Sequence, residues 1–220
     1  DLYWAQGGNP DLIPESGWSE EFGLTHKHSY KKFAWELGAT AFNRNIDNWI
    51  IWLPDQYGIW APDKVLRDWS TGLEYKDNMV FNSGKFNLTL SGMYNYVLST
   101  NDMSVESGEA TAGKQLIYVP IQNASGHVTV SYRSTTVSYT HCYTGFRYTS
   151  SDNKKFLKPY DIANLRVSQS IPMNHSSIKI YVQWNNMYNE TYQVLAYMAM
   201  PQMNYQAGII LNLNKPSKNQ

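Results

Sequence analysis

Hydrophobic and polar positions alternate along most of the chain, most clearly between residues 178 and 185. There Ile178, Ile180, Val182 and Trp184 are separated by polar residues. A β-strand projects successive side chains to opposite faces, so this segment has one apolar and one polar face. The pattern is typical of a β-barrel with lipid outside and water inside, and equally of a strand in a soluble β-sandwich. One strand does not separate these two folds.

The same alternation predicts about nine strands, joined by connections of two lengths. The strands are expected at residues 18–28, 33–52, 66–80, 86–96, 128–132, 136–146, 165–171, 178–184 and 205–213. Short turns are expected at 30–32, 82–84, 134 and 172–175, and long connections at 53–64, 100–122, 147–159 and 189–202. The phase slips between Asn43 and Asn48, which predicts a β-bulge in the second strand.

Three features favour the barrel over the sandwich. Short and long connections alternate strictly, as short periplasmic turns and long extracellular loops do in outer-membrane barrels. Aromatic residues such as Trp69, Tyr96 and Trp184 lie near strand ends, as an interfacial girdle requires. Strands of about ten residues tilted by about 40° rise about 25 Å, the height of the apolar band. We therefore predict an all-β fold, an antiparallel transmembrane β-barrel.

Composition removes several function classes. The 220 residues have a formal net charge of zero, which gives no electrostatic basis for binding nucleic acid. The single cysteine, Cys142, has no partner for an internal disulfide, and no apolar run is long enough for a membrane helix. No nucleophile motif indicates an enzyme, and no residue pattern indicates a cofactor. Residues 1–16 are expected to be an extracellular loop segment, 17–214 the C-terminal strands of the barrel and 215–220 a polar tail.

Five segments in order resemble the C-terminal part of the TonB-dependent outer-membrane receptors. They are GNPDLIPE at 8–15, GLE at 72–74, YTSSDN at 148–153, NNMYN at 185–189 and MP at 200–201. The family's Gly-Arg after Met-Pro is replaced here by Gln202 and Met203. The general appearance is most similar to cobalamin- and siderophore-receptor-like members of Bacteroidetes type.

The resemblance implies a plugged barrel of about 22 strands that imports a ferric siderophore, haem or cobalamin with energy from TonB. This chain would supply the C-terminal strands, without the N-terminal plug. The implied partners are outer-membrane lipid, the rest of the receptor, TonB through the N-terminal part, and a surface lipoprotein. The implied location is the bacterial outer membrane.

Candidate substrate-binding residues lie in the connections and on the polar strand faces. They are Trp52, Tyr57, Trp60, Arg147 and Tyr148 in or beside the connections, and Arg44 and Arg166 on the polar faces. Aromatic residues there could instead pack in the girdle or within the loops, and the arginines could pair with carboxylates of the polar face or with a plug. His26 and His28 share one strand face, but without a third ligand at readable spacing no metal site is expected.

A soluble all-β binding module that uses its loop aromatics remains the alternative. For the barrel, the expected outward residues are Leu88, Leu90, Val130, Leu165, Ile180 and Leu211, and the expected inward residues are Asn87, Thr129, Arg166 and Gln183. Part of a larger barrel has two unpaired edges, here the first and ninth strands. We therefore expect an open curved sheet in which these two strands do not pair.

Overall fold

The computed structural model describes residues 12–54, 59–101, 112–173 and 176–213. This part of the chain is all-β. Its strands are β1 (Ser16–Tyr30), β2 (Phe33–Pro54), β3 (Trp60–Ser83), β4 (Phe86–Asn101), β5 (Gln122–Tyr132), β6 (Thr135–Thr144), β7 (Arg147–Tyr148), β8 (Phe156–Leu157), β9 (Tyr160–Met173), β10 (Ser176–Asn185) and β11 (Asn204–Leu213). Within the described residues, no helix is long and apolar enough to cross a membrane.

Nine strands form one antiparallel sheet in the order β1-β2-β3-β4-β5-β6-β9-β10-β11. Each strand follows its neighbour in sequence, apart from β7 and β8, which form a separate ribbon between β6 and β9. The ribbon lies where only a loop, 147–159, was predicted. Among the described residues β1 pairs only with β2, and β11 only with β10. The prediction of an open sheet is therefore confirmed.

One face of the sheet carries continuous rows of apolar side chains. Leu88, Val130, Val137, Val167 and Val182 stand directly opposite one another across β4, β5, β6, β9 and β10. Several members of this face are half exposed, with Val167 at 44% and Val182 at 55%. Exposed rows of this kind suit contact with lipid and would be an aggregation hazard in water. The predicted alternation of apolar and polar faces is confirmed.

Most side chains of the opposite face are polar, and several of them contact one another. Thr129, Ser138, Arg166 and Gln183 form one row across four strands. The hydroxyl oxygens of Thr129 and Ser138 are 3.0 Å apart, and the guanidinium of Arg166 lies 3.8 Å from the ring centroid of Tyr181. Such contacts give polar side chains on neighbouring strands interaction partners within the sheet.

Two predictions for β2 and β3 are wrong. The register runs without an inserted residue from Phe33 opposite Phe81 to Pro54 opposite Trp60, so there is no bulge; Asn48 instead has a positive φ of 57°. The predicted loop 53–64 is also too long, because β2 continues to Pro54 and β3 begins at Trp60. Among the described residues, Pro54 and Pro62 lie beyond the last pairing of β2 with β1 and of β3 with β4, so neither proline removes a hydrogen bond to those strands.

Candidate functional site

The β2–β3 hairpin projects beyond the rest of the sheet. Pairing with β1 ends at Asp47, and pairing with β4 begins at Asp68. Beyond these residues, the strand pairing that the described residues show is between β2 and β3 themselves, with Trp52 opposite Pro62. The projecting end carries Trp49, Ile50, Trp52 and Trp60, which form the first wall of a candidate site.

A second wall comes from residues 112–121, which connect β4 to β5. The Gln115 side chain accepts a hydrogen bond from Ser99 N at 3.1 Å and donates one to Val119 O at 3.3 Å. Asn153 of the β7–β8 connection binds the Gln115 backbone at both N and O, at 2.9 and 2.8 Å. These bonds fix the backbone, so that Leu116 is only 7% exposed.

A third wall comes from the β10–β11 connection, which supplies Leu195. Its start is fixed by Asn186, which is 3% exposed. The Asn186 amide donates to Glu190 O at 2.8 Å and accepts from Glu190 N at 2.9 Å. An asparagine side chain that binds both the N–H and the C=O of one residue stabilises a turn as a pair of backbone hydrogen bonds would.

The three walls line a partly open apolar cleft of about 290 Å³, here called the aromatic pocket. It is lined by Trp49, Ile50, Trp52, Trp60, Leu116, Ile117, Tyr118 and Leu195. The ring centroids of Trp60 and Tyr118 are 5.9 Å apart at an interplanar angle of 41°. None of the described lining side chains carries a formal charge. These residues therefore offer stacking and apolar contact.

Arg147 and Tyr148 join two of these walls without lining the pocket. Arg147 is 4% exposed; its Nη2 donates to Gln193 O at 3.0 Å, and its guanidinium lies 4.9 Å from the Tyr160 ring centroid. The carbonyl of Tyr148 accepts a hydrogen bond from Tyr118 N at 2.8 Å. The structure thus places these two candidates in the framework that holds Tyr118 and the β10–β11 connection.

The remaining predicted site residues lie elsewhere. Arg44 Nη2 is 3.7 Å from Asp68 Oδ2 and 3.5 Å from Ser70 Oγ, and both partners are fully buried. Arg166 stacks on Tyr181. Tyr57 lies outside the described residues.

His26 and His28 both contact the Trp35 ring, at centroid distances of 6.1 and 5.7 Å. Among the described residues no group of three or more His, Cys, Asp or Glu is arranged to hold a metal ion.

The sequence predicted Trp52 and Trp60 as candidates but not the residues that line the pocket with them. Trp49 lies within the predicted second strand, and Tyr118 and Leu195 lie in predicted long connections. No local pattern could have found them, because their neighbours in the pocket come from distant chain segments.

Comparison with known proteins places this geometry in a family. A model of the family described as TonB dependent receptor-like, beta-barrel matches residues 1–187. The vitamin B12 transporter BtuB of Photobacterium profundum is 27% identical over 180 residues, 80% of this chain and 27% of that protein. BtuB of Vibrio vulnificus is 36% identical over 66 residues, 30% of this chain and 10% of that protein.

Solved structures show the same fold. The siderophore receptor PiuA from Acinetobacter baumannii matches with a TM-score of 0.62 and 19% identity, over 95% of this chain and 30% of that one. The ferric preacinetobactin receptor BauA from the same organism matches with a TM-score of 0.58 and 12% identity, over 89% and 29%. The chain thus spans under a third of these relatives. Since the family match covers most of its residues, the chain belongs to the TonB dependent receptor-like β-barrel family, whose members are outer-membrane proteins.

Proposed function

We propose that this chain is the C-terminal barrel wall of an outer-membrane receptor that imports a scarce large nutrient, either a ferric siderophore, haem or cobalamin. The observation that carries the proposal is the nine-stranded antiparallel sheet with one exposed apolar face, found in a chain of this family. Relatives named as a vitamin B12 transporter and as siderophore receptors support cobalamin and ferric siderophores within this range. The function is transport rather than catalysis.

Each part of the sheet has a place in this proposal. The apolar face contacts outer-membrane lipid, and the polar face lines the lumen beside an N-terminal plug supplied by the rest of the receptor. TonB acts through that N-terminal part, and a surface lipoprotein is a further candidate partner. Trp52 and Trp60 contact the nutrient at the extracellular side, where the β7–β8 ribbon and the β10–β11 connection also lie. Arg44 and Arg166 contact nutrient or plug along the lumen.

The soluble binding module is the weaker interpretation. Its strength is the aromatic pocket, which would suit a sugar or peptide. Against it stands the apolar row from Leu88 to Val182, which a soluble protein would have to cover. Purification separates the two interpretations, because a soluble module should remain monodisperse without detergent.

Uptake by the complete receptor tests the proposal. A bacterial strain lacking its own receptors would express the full-length protein, and growth would be measured with cobalamin, haem or ferric siderophores as the limiting nutrient. Replacing Trp52 and Trp60 together by Ala should reduce uptake of the nutrient that supports growth. Trp18→Ala is the matched control, since Trp18 is an exposed tryptophan of β1 outside the pocket. Growth on none of these nutrients, despite surface expression, would reject the proposed transport.

A further inference from the structure

We propose that the short-turn end of the sheet binds anionic phospholipid headgroups of the periplasmic leaflet through a row of exposed cations. This row, here called the cationic rim, consists of Lys31, Lys32, Lys85 and Arg133. The inference rests on the proposed function, because only a wall that spans the outer membrane holds these turns beside headgroups. It adds a lipid class and a binding site to the general contact of the apolar face with lipid.

The rim lies on three two-residue turns that are hydrogen-bonded to their neighbours. The turns join β1 to β2, β3 to β4 and β5 to β6, all at the same end of the sheet. Asn82 N donates to Lys32 O at 2.8 Å, and Arg133 N donates to Lys85 O at 2.9 Å. The Lys32 ammonium also donates to Ser83 Oγ at 3.0 Å. The cations are therefore held side by side along one end of the sheet.

The positive charge of the rim has no carboxylate close to it in the described part of the chain. All four cationic side chains are exposed, and no ion pair of the described residues includes any of them. The segments around them, 28–35, 78–92 and 126–138, contain no Asp or Glu. Glu36, just beyond the first segment, already pairs with Lys27 at 3.0 Å. Charge complementarity therefore favours an anionic partner at this end.

The backbone of the turns does not account for these cations. Lys31 and Arg133 have positive φ values of 52° and 55°, a conformation that glycine adopts freely and other residues seldom occupy. Gly84, with a φ of 62°, takes the same position in the β3–β4 turn. A glycine would suit the other two turns as well, so the charge is the property that a lysine and an arginine add there.

The rim cations lie against aromatic side chains of the apolar face, which favours lipid over a soluble partner. Lys31 Nζ is 4.9 Å from the Tyr30 ring centroid, and the guanidinium carbon of Arg133 is 5.3 Å from that of Tyr132. Both tyrosines lie on the same face as Leu88 and are more than half exposed. Tyrosines on the lipid side near strand ends lie at the membrane–water interface. Cations stacked on them are therefore at the depth of the lipid phosphates, which they bind by charge-assisted hydrogen bonds.

The test compares two phospholipids that differ in headgroup charge. Dioleoyl phosphatidylglycerol is an anion, and dioleoyl phosphatidylcholine is zwitterionic with the same acyl chains. Native mass spectrometry of the purified full-length receptor in detergent would give the apparent Kd of each lipid. Each cation beside an anionic lipid surface strengthens the attraction about fivefold before screening by salt, so we expect phosphatidylglycerol to bind about tenfold tighter.

Two variants with the same loss of charge locate the site. The rim variant combines Lys31→Gln, Lys85→Gln and Arg133→Gln, and it should lose the preference for phosphatidylglycerol. The control variant combines Lys154→Gln, Lys155→Gln and Lys158→Gln, which lie between β7 and β9 at the opposite end of the sheet. It should keep the preference. Glutamine retains a long polar side chain, so the turns should keep their backbone conformation.

Three results would overturn the inference. They are equal affinity of the wild-type receptor for the two lipids, a preference that the rim variant retains, and a preference that the control variant loses as fully as the rim variant. Equal affinity is the result expected if the cations serve a soluble acidic partner instead. Each result leaves import intact if the full-length receptor still supports growth on a scarce nutrient. Loss of that growth is a separate outcome that concerns the proposed function.

Discussion

Ile180 and Gln183 of β10 face opposite sides of the sheet. Ile180 stands opposite Ile209 and is 43% exposed on the apolar face, whereas Gln183 stands opposite Arg166 and Gln206 on the polar face. Ile180→Arg in the full receptor should cost about 2–4 kcal/mol of folding free energy in a bilayer, because it places a charge against hydrocarbon. The measurement is reversible urea unfolding in lipid vesicles.

Gln183→Arg is the matched control. It introduces the same side chain three residues further along the same strand, on the face whose residues already include Arg166. We expect it to cost far less than Ile180→Arg, although two cations would then be neighbours. Equal costs at the two positions would contradict the assignment of the faces.

Asp152 should make the β7–β8 connection pH-dependent. Its carboxylate accepts hydrogen bonds from Ser150 Oγ at 2.6 Å and Lys154 N at 3.1 Å, and these bonds lower its pKa to about 2. Because the folded pKa is depressed, the stabilisation is present above the unfolded pKa near 4 and is lost as pH falls towards 2.

Pepsin cleavage of the ribbon measures this change. Wild-type receptor should become more readily cleaved near Phe156 between pH 4 and pH 2, after correction for the activity of pepsin on a peptide of residues 149–158. Asp152→Asn should be cleaved readily at both values. If Asp152→Asn resisted pepsin at pH 4 as well as the wild type does, the ionised carboxylate would have no role in holding the connection.

Period-two alternation predicted which face each membrane-level residue occupies, because lipid on one side and water on the other impose it on every strand. Leu88, Val130 and Thr129 all lie on the faces expected. The sequence did not predict the environment of side chains such as Arg147. An arginine in a predicted polar loop suggests solvent or ligand contact, and only the folded connections show it to be 4% exposed.

At the level of elements, β2 shows where the alternation stops being informative. Asn43 and Asn45 continue the apolar face of Phe33 and Trp35, which is why the pattern suggested a bulge. The strand instead keeps its register and projects beyond the strands beside it. Beyond the membrane both faces of a strand can contact water, so apolar and polar residues there need not alternate. A break in the alternation therefore does not require a bulge in the backbone.

The β7–β8 ribbon should act as a clamp, meaning that its hydrogen bonds hold the β4–β5 connection and the β10–β11 connection in place. Arg147→Met removes the bond to Gln193 O and the contact with the Tyr160 ring. Losing a buried partner of this kind costs about 1–3 kcal/mol, so local opening of the β10–β11 connection should become easier. Hydrogen exchange of residues 189–199 in the full receptor should accelerate while exchange in β5 stays unchanged.

Tyr148→Phe is the control for this prediction. The clamp uses the backbone carbonyl of Tyr148, which accepts from Tyr118 N, so removing the hydroxyl should leave exchange of residues 189–199 as in wild type. Unchanged exchange in Arg147→Met as well would show that the β10–β11 connection is held by other contacts, such as those of Asn186.

At the level of the whole molecule, the strand order could be predicted because the nine strands of the main sheet lie in their order along the chain, with only the β7–β8 ribbon inserted between β6 and β9. The aromatic pocket could not, since Tyr118 and Leu195 meet the β2–β3 hairpin only after several strands have been laid side by side. Such contacts depend on the shape of the sheet, which no local pattern encodes. That the chain resembles Bacteroidetes-type members of the family stays a prediction.

The two free edges of the sheet give the last prediction. β1 and β11 each pair on one side only among the described residues, so about half of their backbone amides lack a sheet partner. In the complete receptor, strands from the rest of the barrel should cover both edges, because unpaired backbone groups are not tolerated at the level of lipid. Amide exchange in Ser16–Tyr30 and Asn204–Leu213 should therefore be fast at alternate residues in the isolated chain and slow in the full receptor. β5, which is paired on both sides, is the internal control and should exchange slowly in both samples. Equal protection of β1, β5 and β11 in the isolated monomeric chain would mean that its edges close on each other, and would contradict a wall that needs the rest of the receptor.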